Sequence, residues 1–288
     1  MATLNGAAAW QEEGRDVADL EYAVENGVGT ILLNRPNRKN AFTTEMVDKW
    51  AEVLRGTRTD DSVGALIVTG AGDAFCSGGE LSGLAPGAEG PTTYERKAFL
   101  TDHVHRVAYA LEDLDKPVIA AVNGVAVGAG MDMALMCDMR FVARSARMSE
   151  GYIKVGLVPG DGGAYWLPRL VGTAKAMELL LTGDFVDAEE AYRIGLANRI
   201  HDDADLMHET RRFAEGIAAG PPRITRMIKR AIYQSAKSDL RTSLDLISSH
   251  MAVVQSMEEH TEAFNAFREG RPRTLKVARN PPTPPVPP

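Results

Sequence analysis

Apolar positions along the chain follow two different periods, and the switch between them outlines the architecture. From Leu20 to Asn34 they form two short β-type runs on either side of Asn26-Gly27, a dipeptide that favours a two-residue hairpin turn. Met46, Val47, Trp50, Val53 and Leu54 then share one face at helical spacing and predict an amphipathic helix over 43–56. Ala65 to Thr69 is a continuous apolar run between Gly64 and Gly70, the pattern of a strand covered on both faces. Val118 to Val122 repeats it, and Phe141-Val142-Ala143 does so more weakly. Helical spacing returns over 96–115, 129–137, 163–170 and 173–181, so strands alternate with helices, which predicts an α/β fold.

From Leu206 the strand signal stops. Residues 206–218, 222–236 and 239–268 are helical by period, with breaks at Gly220-Pro221-Pro222 and Lys237-Ser238. The chain therefore divides into an N-terminal extension (1–19), an α/β core (20–205), a helical C-terminal subdomain (206–278) and a proline-rich tail (279–288) expected to be disordered or polyproline.

Composition narrows the function classes. Charged residues make up 25% of the chain and sum to a net charge of −7, which argues against nucleic acid or an anionic membrane surface as partner. The longest charge-free apolar stretch, Pro117 to Met131, falls short of the roughly 20 residues of a spanning helix and contains Asn123. Two cysteines cannot build a disulfide framework, and the first residues lack the pattern of a signal peptide, so a cytoplasmic protein is expected. Common motifs fail: Gly70-Ala71-Gly72 lacks the third glycine of a dinucleotide loop, and there is no P-loop, no Gly-x-Ser-x-Gly elbow and no Cys/His cluster at metal-ligand spacing. His103 and His105 are two apart, on different faces of a helix, and read as surface residues; no metal is expected.

Two strand-to-loop junctions carry more information. One is Ala74-Phe-Cys-Ser-Gly-Gly-Glu80-Leu81; the other runs from Pro117 through Asn123-Gly124 and Gly128-Ala-Gly130 to Asp132. Ligands of α/β proteins usually bind at the carboxyl ends of strands, and glycine there lets backbone N–H groups approach a ligand. Two such N–H groups converging on one carbonyl would make an oxyanion hole. Tight turns and close packing explain the same glycines equally well.

Together with Ile31-Leu-Leu-Asn-Arg-Pro36, Val155-Gly-Leu-Val-Pro-Gly160, Gly162-Gly163, Leu181-Thr-Gly183 and Glu262-Ala-Phe-Asn-Ala-Phe-Arg-Glu-Gly-Arg271, these segments resemble the crotonase, or enoyl-CoA hydratase/isomerase, superfamily over about residues 20–275. The resemblance implies a crotonase-type spiral of ββα turns with a C-terminal helical trimerisation subdomain, assembling as a homotrimer or hexamer. It also implies an acyl-CoA thioester substrate, with coenzyme A as part of that substrate and no tightly bound cofactor. Carried over by position, the oxyanion hole falls on the N–H groups of Gly79 and Ala129.

The first acid/base glutamate of the hydratases falls on Asp132, which also reads as an acidic residue in a helix's first turn. The second falls on Tyr152, a departure, because a phenol is a poor base at neutral pH. Glu150, two residues earlier, would share the face of Tyr152 on an extended segment, and Asp161 offers another carboxylate or else an N-cap for 163–170. Reversible hydration of a 2-enoyl-CoA is the first expectation. Isomerisation of an enoyl- or dienoyl-CoA, C–C cleavage, thioester hydrolysis and a non-catalytic CoA-binding subunit remain alternatives. Substrate-binding candidates are Arg35, Arg38 and Lys39 near the first strands, Ser77, Gly78, Glu80 and Leu81, then Gly128, Pro159, Gly160 and Trp166 beside Tyr165, and Arg271 or Lys276 near the C-terminus.

Overall fold

The computed structural model describes residues 18–80, 91–271 and 273. The extension up to residue 17, Leu81, Lys276 and the proline-rich tail lie outside the described residues. Strands β1 (Leu20–Glu25) and β2 (Val28–Leu33) pair antiparallel, with Leu20 opposite Leu33. Asn26 (φ 51°) and Gly27 (φ 80°) turn between them in the left-handed region, as the Asn-Gly signal requires. Helix α1 (Thr44–Thr59) starts where the Thr43 side chain accepts from Met46 N, and it buries Met46, Val47, Trp50 and Leu54. It runs one turn past the predicted end because Lys116 Nζ, largely buried, donates to the terminal carbonyls of Thr57 and Asp60 at 2.6 Å each.

Strands β3 (Ala65–Gly70) and β4 (Ala74–Cys76) follow, then α2 (Thr93–Phe99), a π-helical turn (Leu100–Val104) and α3 (His105–Asp113). Next come β5 (Val118–Val122), β6 (Val125–Val127), α4 (Ala129–Leu135), β7 (Met139–Ala143) and β8 (Arg147–Ser149). A 3₁₀ turn (Gly151–Val155) leads to α5 (Gly163–Val171) and α6 (Thr173–Thr182). Strand β9 (Val186–Asp187), α7 (Ala188–Arg193) and β10 (Arg199–His201) close the mixed part.

These strands form two sheets. The larger has the order β1-β2-β3-β5-β7-β10, parallel from β2 onward, and the smaller has the order β4-β6-β8-β9. Three times the chain passes from a strand of the large sheet directly to one of the small sheet (β3 to β4, β5 to β6, β7 to β8), which is the expected spiral of ββα turns. Strands β3 and β5 are buried throughout, as their unbroken apolar runs predict. The small-sheet strands are two or three residues long, too short for any period to reveal them.

Helix α8 (Leu206–Ala218) covers the large sheet, with Leu206 and Ala214 in the core and the Phe213 ring 5.1 Å from Phe141. Helix α9 (Pro222–Ser235) is pinned to the core through Asp138, whose carboxylate accepts from Lys229 Nζ, Tyr233 Oη and Val118 N at 2.7 Å each. The predicted long helix over 239–268 is two helices, α10 (Leu240–Gln255) and α11 (Glu258–Glu269). They part where Met257 turns extended (φ −85°, ψ 147°) and the Ser256 hydroxyl takes the Val253 carbonyl. Ile228, Ile232, Leu240, Leu244 and Met251 of α9 and α10 face outward.

Candidate active site

The two glycine-bearing loops meet at the ends of β4 and β6. Phe42 N donates to Gly78 O (2.9 Å) and Phe42 O accepts from Glu80 N (3.3 Å), so the bridge straddles Gly79 and turns its own N–H to the opposite side. Gly128 (φ 53°, ψ −124°) makes the sharp entry into α4, which leaves the N–H of Ala129 without an intrahelical acceptor. A side chain at Gly78 (φ 97°) would come within 3.2 Å of Val127 O and 3.6 Å of Ala129 N, so the two backbones lie side by side. A side chain at Gly130 would stand 2.1 Å from Cys76 O, so only glycine lets α4 dock this closely on β4.

Asn40, fully buried at φ 55°, braces the first loop. Its amide donates to the carbonyls of Ala71 and Ala74, and its Oδ1 accepts from Arg35 N. The Asn123 amide reaches the carbonyls of Gly70, Gly72 and Ala74 from the other side.

Beside these loops sits a cluster of acids. Asp132 in the first turn of α4, Glu150 after β8 and Asp161 before α5 are 0%, 1% and 7% exposed. The Tyr152 hydroxyl lies 2.6 Å from Asp132 Oδ2 and 2.9 Å from Asp161 Oδ2, while its ring rests against Gly128, next to the Ala129 N–H. A phenol carries one proton and can donate to only one carboxylate at a time. Tyr152 and its two acids therefore share protons.

Glu150 reaches the cluster from behind. A side chain at Gly163 would fall 2.5 Å from Asp132 Oδ1 and 2.7 Å from both Glu150 oxygens, so a glycine at the start of α5 makes the room the two carboxyls occupy. Among the described residues no lysine, arginine or histidine forms an ion pair with any of the three acids. Burial accordingly drives all three carboxyls above their ordinary range, with the charges of their neighbours adding to the effect on Asp132 and Glu150. The Tyr152 hydrogen bond pulls Asp132 and Asp161 back part of the way. The phenol itself is pushed far up by burial and by the two acids, so it is not an anion at neutral pH. Cys76 is buried in the same layer and its thiol is pushed up to about 12 by burial, which removes it as a nucleophile.

The structure thus brings together Asp132, Glu150, Tyr152, Asp161 and Gly128, and sets Gly78, next to Gly79 in the chain, beside Ala129. Two of the expected reasons are corrected. Glu150 does not reach the site by sharing an extended face with Tyr152, because the segment bends into a 3₁₀ turn at Glu150 (φ −79°, ψ 51°). Asp161 does not cap α5: Gly162 holds the N-cap position and the Asp161 carboxyl turns to Tyr152.

The expected binding residues are more scattered. Arg35 is committed to the Ala41 carbonyl (2.6 Å) and to Glu80 (2.6 Å), so it buttresses the loop. Lys39 pairs with Asp73 at 2.5 Å, and the Arg38 carbonyl accepts from the Ser77 hydroxyl. Trp166 packs on Gly162 and against the core, while Tyr165 is exposed beneath the Arg169 guanidinium. Arg271 sits past the end of α11 on Glu262 and Glu269. His105, read as a surface residue, instead donates from Nε2 to Gly160 O at 2.8 Å, and Leu100 packs beside Gly160, so the π-helical turn and α3 hold the Pro159-Gly160-Asp161 loop. No sequence signal marks a π-turn, and His105 lies far from Asp161 along the chain.

Residues 23–276 match the family model described as enoyl-CoA hydratase/isomerase. Over 249 residues the chain is 38% identical to the 1,2-epoxyphenylacetyl-CoA isomerase of Escherichia coli, covering 85% of this chain and 93% of that protein. It is 34% identical to the short-chain-enoyl-CoA hydratase of Clostridium acetobutylicum, covering 86% and 93%. Among solved structures, the enoyl-CoA hydratase from Bacillus anthracis superposes with a TM-score of 0.84 at 29% identity, over 90% of this chain and all of that one.

Proposed function

The chain belongs to the enoyl-CoA hydratase/isomerase family, and on that premise we propose that it isomerises an enoyl-CoA, moving the double bond along the acyl chain through a thioester enolate. The observation that carries this reading is the Tyr152 hydroxyl standing between Asp132 and Asp161. Hydration needs a water held between two acid/base groups, and here the phenol oxygen fills that place. Isomerisation needs no water, only one accessible acid that takes a proton from one carbon and returns it to another.

The N–H groups of Gly79 and Ala129 receive the thioester oxygen, each worth roughly 3–4 kcal/mol to the enolate. Asp161, less deeply buried than Asp132, accepts the proton from C2 of a 3-enoyl-CoA. The electron pair of the broken C–H bond forms the dienolate. Asp161 then returns the proton to C4, where the C3–C4 pair makes the new C–H bond, and the double bond settles at C2–C3 as the thioester carbonyl re-forms. For Asp161 to start as a base, its resting proton passes to the Tyr152 oxygen while the phenol proton passes to Asp132. The phenol never carries charge in that exchange, which suits its raised pKa.

Arg38, exposed beside Ser77, is our candidate for the CoA phosphates, with Lys39 next to it. The outward apolar residues of α9 and α10 support assembly as a homotrimer or hexamer. Two unpaired, buried cysteines suit a reducing, cytoplasmic setting. No helix of the described residues is long and apolar enough to cross a membrane.

The test offers 3-enoyl-CoA and 2-enoyl-CoA separately and follows both the absorbance of the conjugated enoyl thioester and the mass of the products. We expect 3-enoyl-CoA to give 2-enoyl-CoA at unchanged mass, and Asp161→Asn to slow this about 10²- to 10⁴-fold. A product heavier by one water, formed from 2-enoyl-CoA as fast or faster, would replace isomerisation with hydration.

A further inference from the structure

We propose that Glu150 is a positioning residue: a carboxylic acid, not a carboxylate, whose O–H holds Asp132 Oδ1 in place behind the Tyr152 hydroxyl. The inference deepens the isomerase reading and rests on the proton relay described there. It begins from an imbalance between two buried acids. Neither Asp132 Oδ1 nor either Glu150 oxygen has a partner in the direct hydrogen bonds of the described residues, yet all three crowd around the missing side chain of Gly163. Two adjacent carboxylates out of water with no cation to pair them would cost several kcal/mol. One shared proton removes that cost.

The surroundings decide which acid keeps the proton. Asp132 receives the Tyr152 hydroxyl at 2.6 Å and faces the Gly163 N–H at the start of α5, both of which favour its charged form. Glu150 receives neither, and its charged form meets the charges of Asp132 and Asp161 instead. The remaining titratable groups facing the cluster are Tyr152 and, beside Asp161, His105. The proton therefore rests on Glu150, and a small rotation of its carboxyl brings the O–H onto Asp132 Oδ1.

Glu150→Gln keeps a neutral donor of the same shape, whereas Glu150→Ala removes it. The expected result is that Glu150→Gln retains the wild-type kcat, KM and pH profile. Glu150→Ala should lower kcat about 10²-fold with KM little changed, the cost of a misplaced catalytic group, and move the acid limb to higher pH as Asp132 loses its donor. Infrared spectroscopy at pH 8 supplies a readout independent of turnover: the wild type should show a protonated-carboxyl C=O band from Glu150 that Glu150→Gln lacks and Asp161→Asn keeps, beside the band of the Asp161 carboxyl. A Glu150→Gln enzyme as slow as Glu150→Ala, or one with the band unchanged, would overturn the proposal. If the wild type hydrates and does not isomerise, the isomerase reading fails by itself, and the band and the Gln/Ala comparison still decide the role of Glu150.

Discussion

Tyr152→Phe removes a single hydroxyl and leaves the ring against Gly128 in place. The Asp132 oxygen at 2.6 Å then loses its donor, and the Asp161 carboxyl at 2.9 Å loses the phenol oxygen that takes its proton. A stranded buried donor or acceptor costs about 1–3 kcal/mol, so the two together amount to about 2–4 kcal/mol once a proton shared among the acids relieves part of the loss. In a chain of this size that corresponds to a fall in Tm on the order of 5–10 °C. The fall should be larger at pH 8 than at pH 5, because protonated acids need the donor less. Loss of the hydrogen bond also raises Asp132 and Asp161 further, so the acid limb of kcat/KM moves up. With the path between the two acids cut, kcat should drop at least about 10²-fold while KM holds. The assay pairs thermal unfolding at both pH values with a pH–rate profile on 3-enoyl-CoA. A Tyr152→Phe enzyme with wild-type kcat and an unshifted profile would show that no proton passes through the phenol, and the relay would have to be abandoned.

Two further outcomes follow from the packing and the charges. Gly130→Ala puts a methyl group 2.1 Å from the Cys76 carbonyl, a backbone atom that cannot swing aside, so α4 must retreat from β4. Destabilisation at the top of the ~1–3 kcal/mol overpacking range should accompany a loss of turnover, as the Ala129 N–H leaves Gly79; unchanged activity would disprove the convergence of the two loops. The buried acids also set a pH dependence of stability. Their folded pKa values are raised, to about 7 for Asp132, so the native state binds more protons than the unfolded chain above the ordinary carboxylate range. Stability should therefore decline as pH rises from about 4 to 7 through this group and continue to decline beyond it through Glu150. Glu150→Gln should flatten the alkaline part in denaturant titrations, and a slope identical to wild type would contradict the assignment.

The hairpin at Asn26-Gly27, the amphipathic face of α1 and the fully buried strands β3 and β5 were legible in the chain because each is decided locally, by a turn dipeptide or by a repeat of apolar side chains. The loop glycines and the residues of the acid cluster were legible only through resemblance, since nothing in their spacing separates a tight turn from a ligand site. Tertiary structure decided the rest. The small sheet is built from strands too short to carry a period, and they are held by pairing with one another across residues far apart in the chain. Whether Asp161 capped a helix or faced Tyr152 depended on Gly162 taking the cap, and whether Glu150 met Asp132 depended on the space left by Gly163. A carboxyl's identity is written in the sequence, but its proton is set by burial and by the charges around it, and those exist only once β6, β8 and α5 have brought three acids to one point.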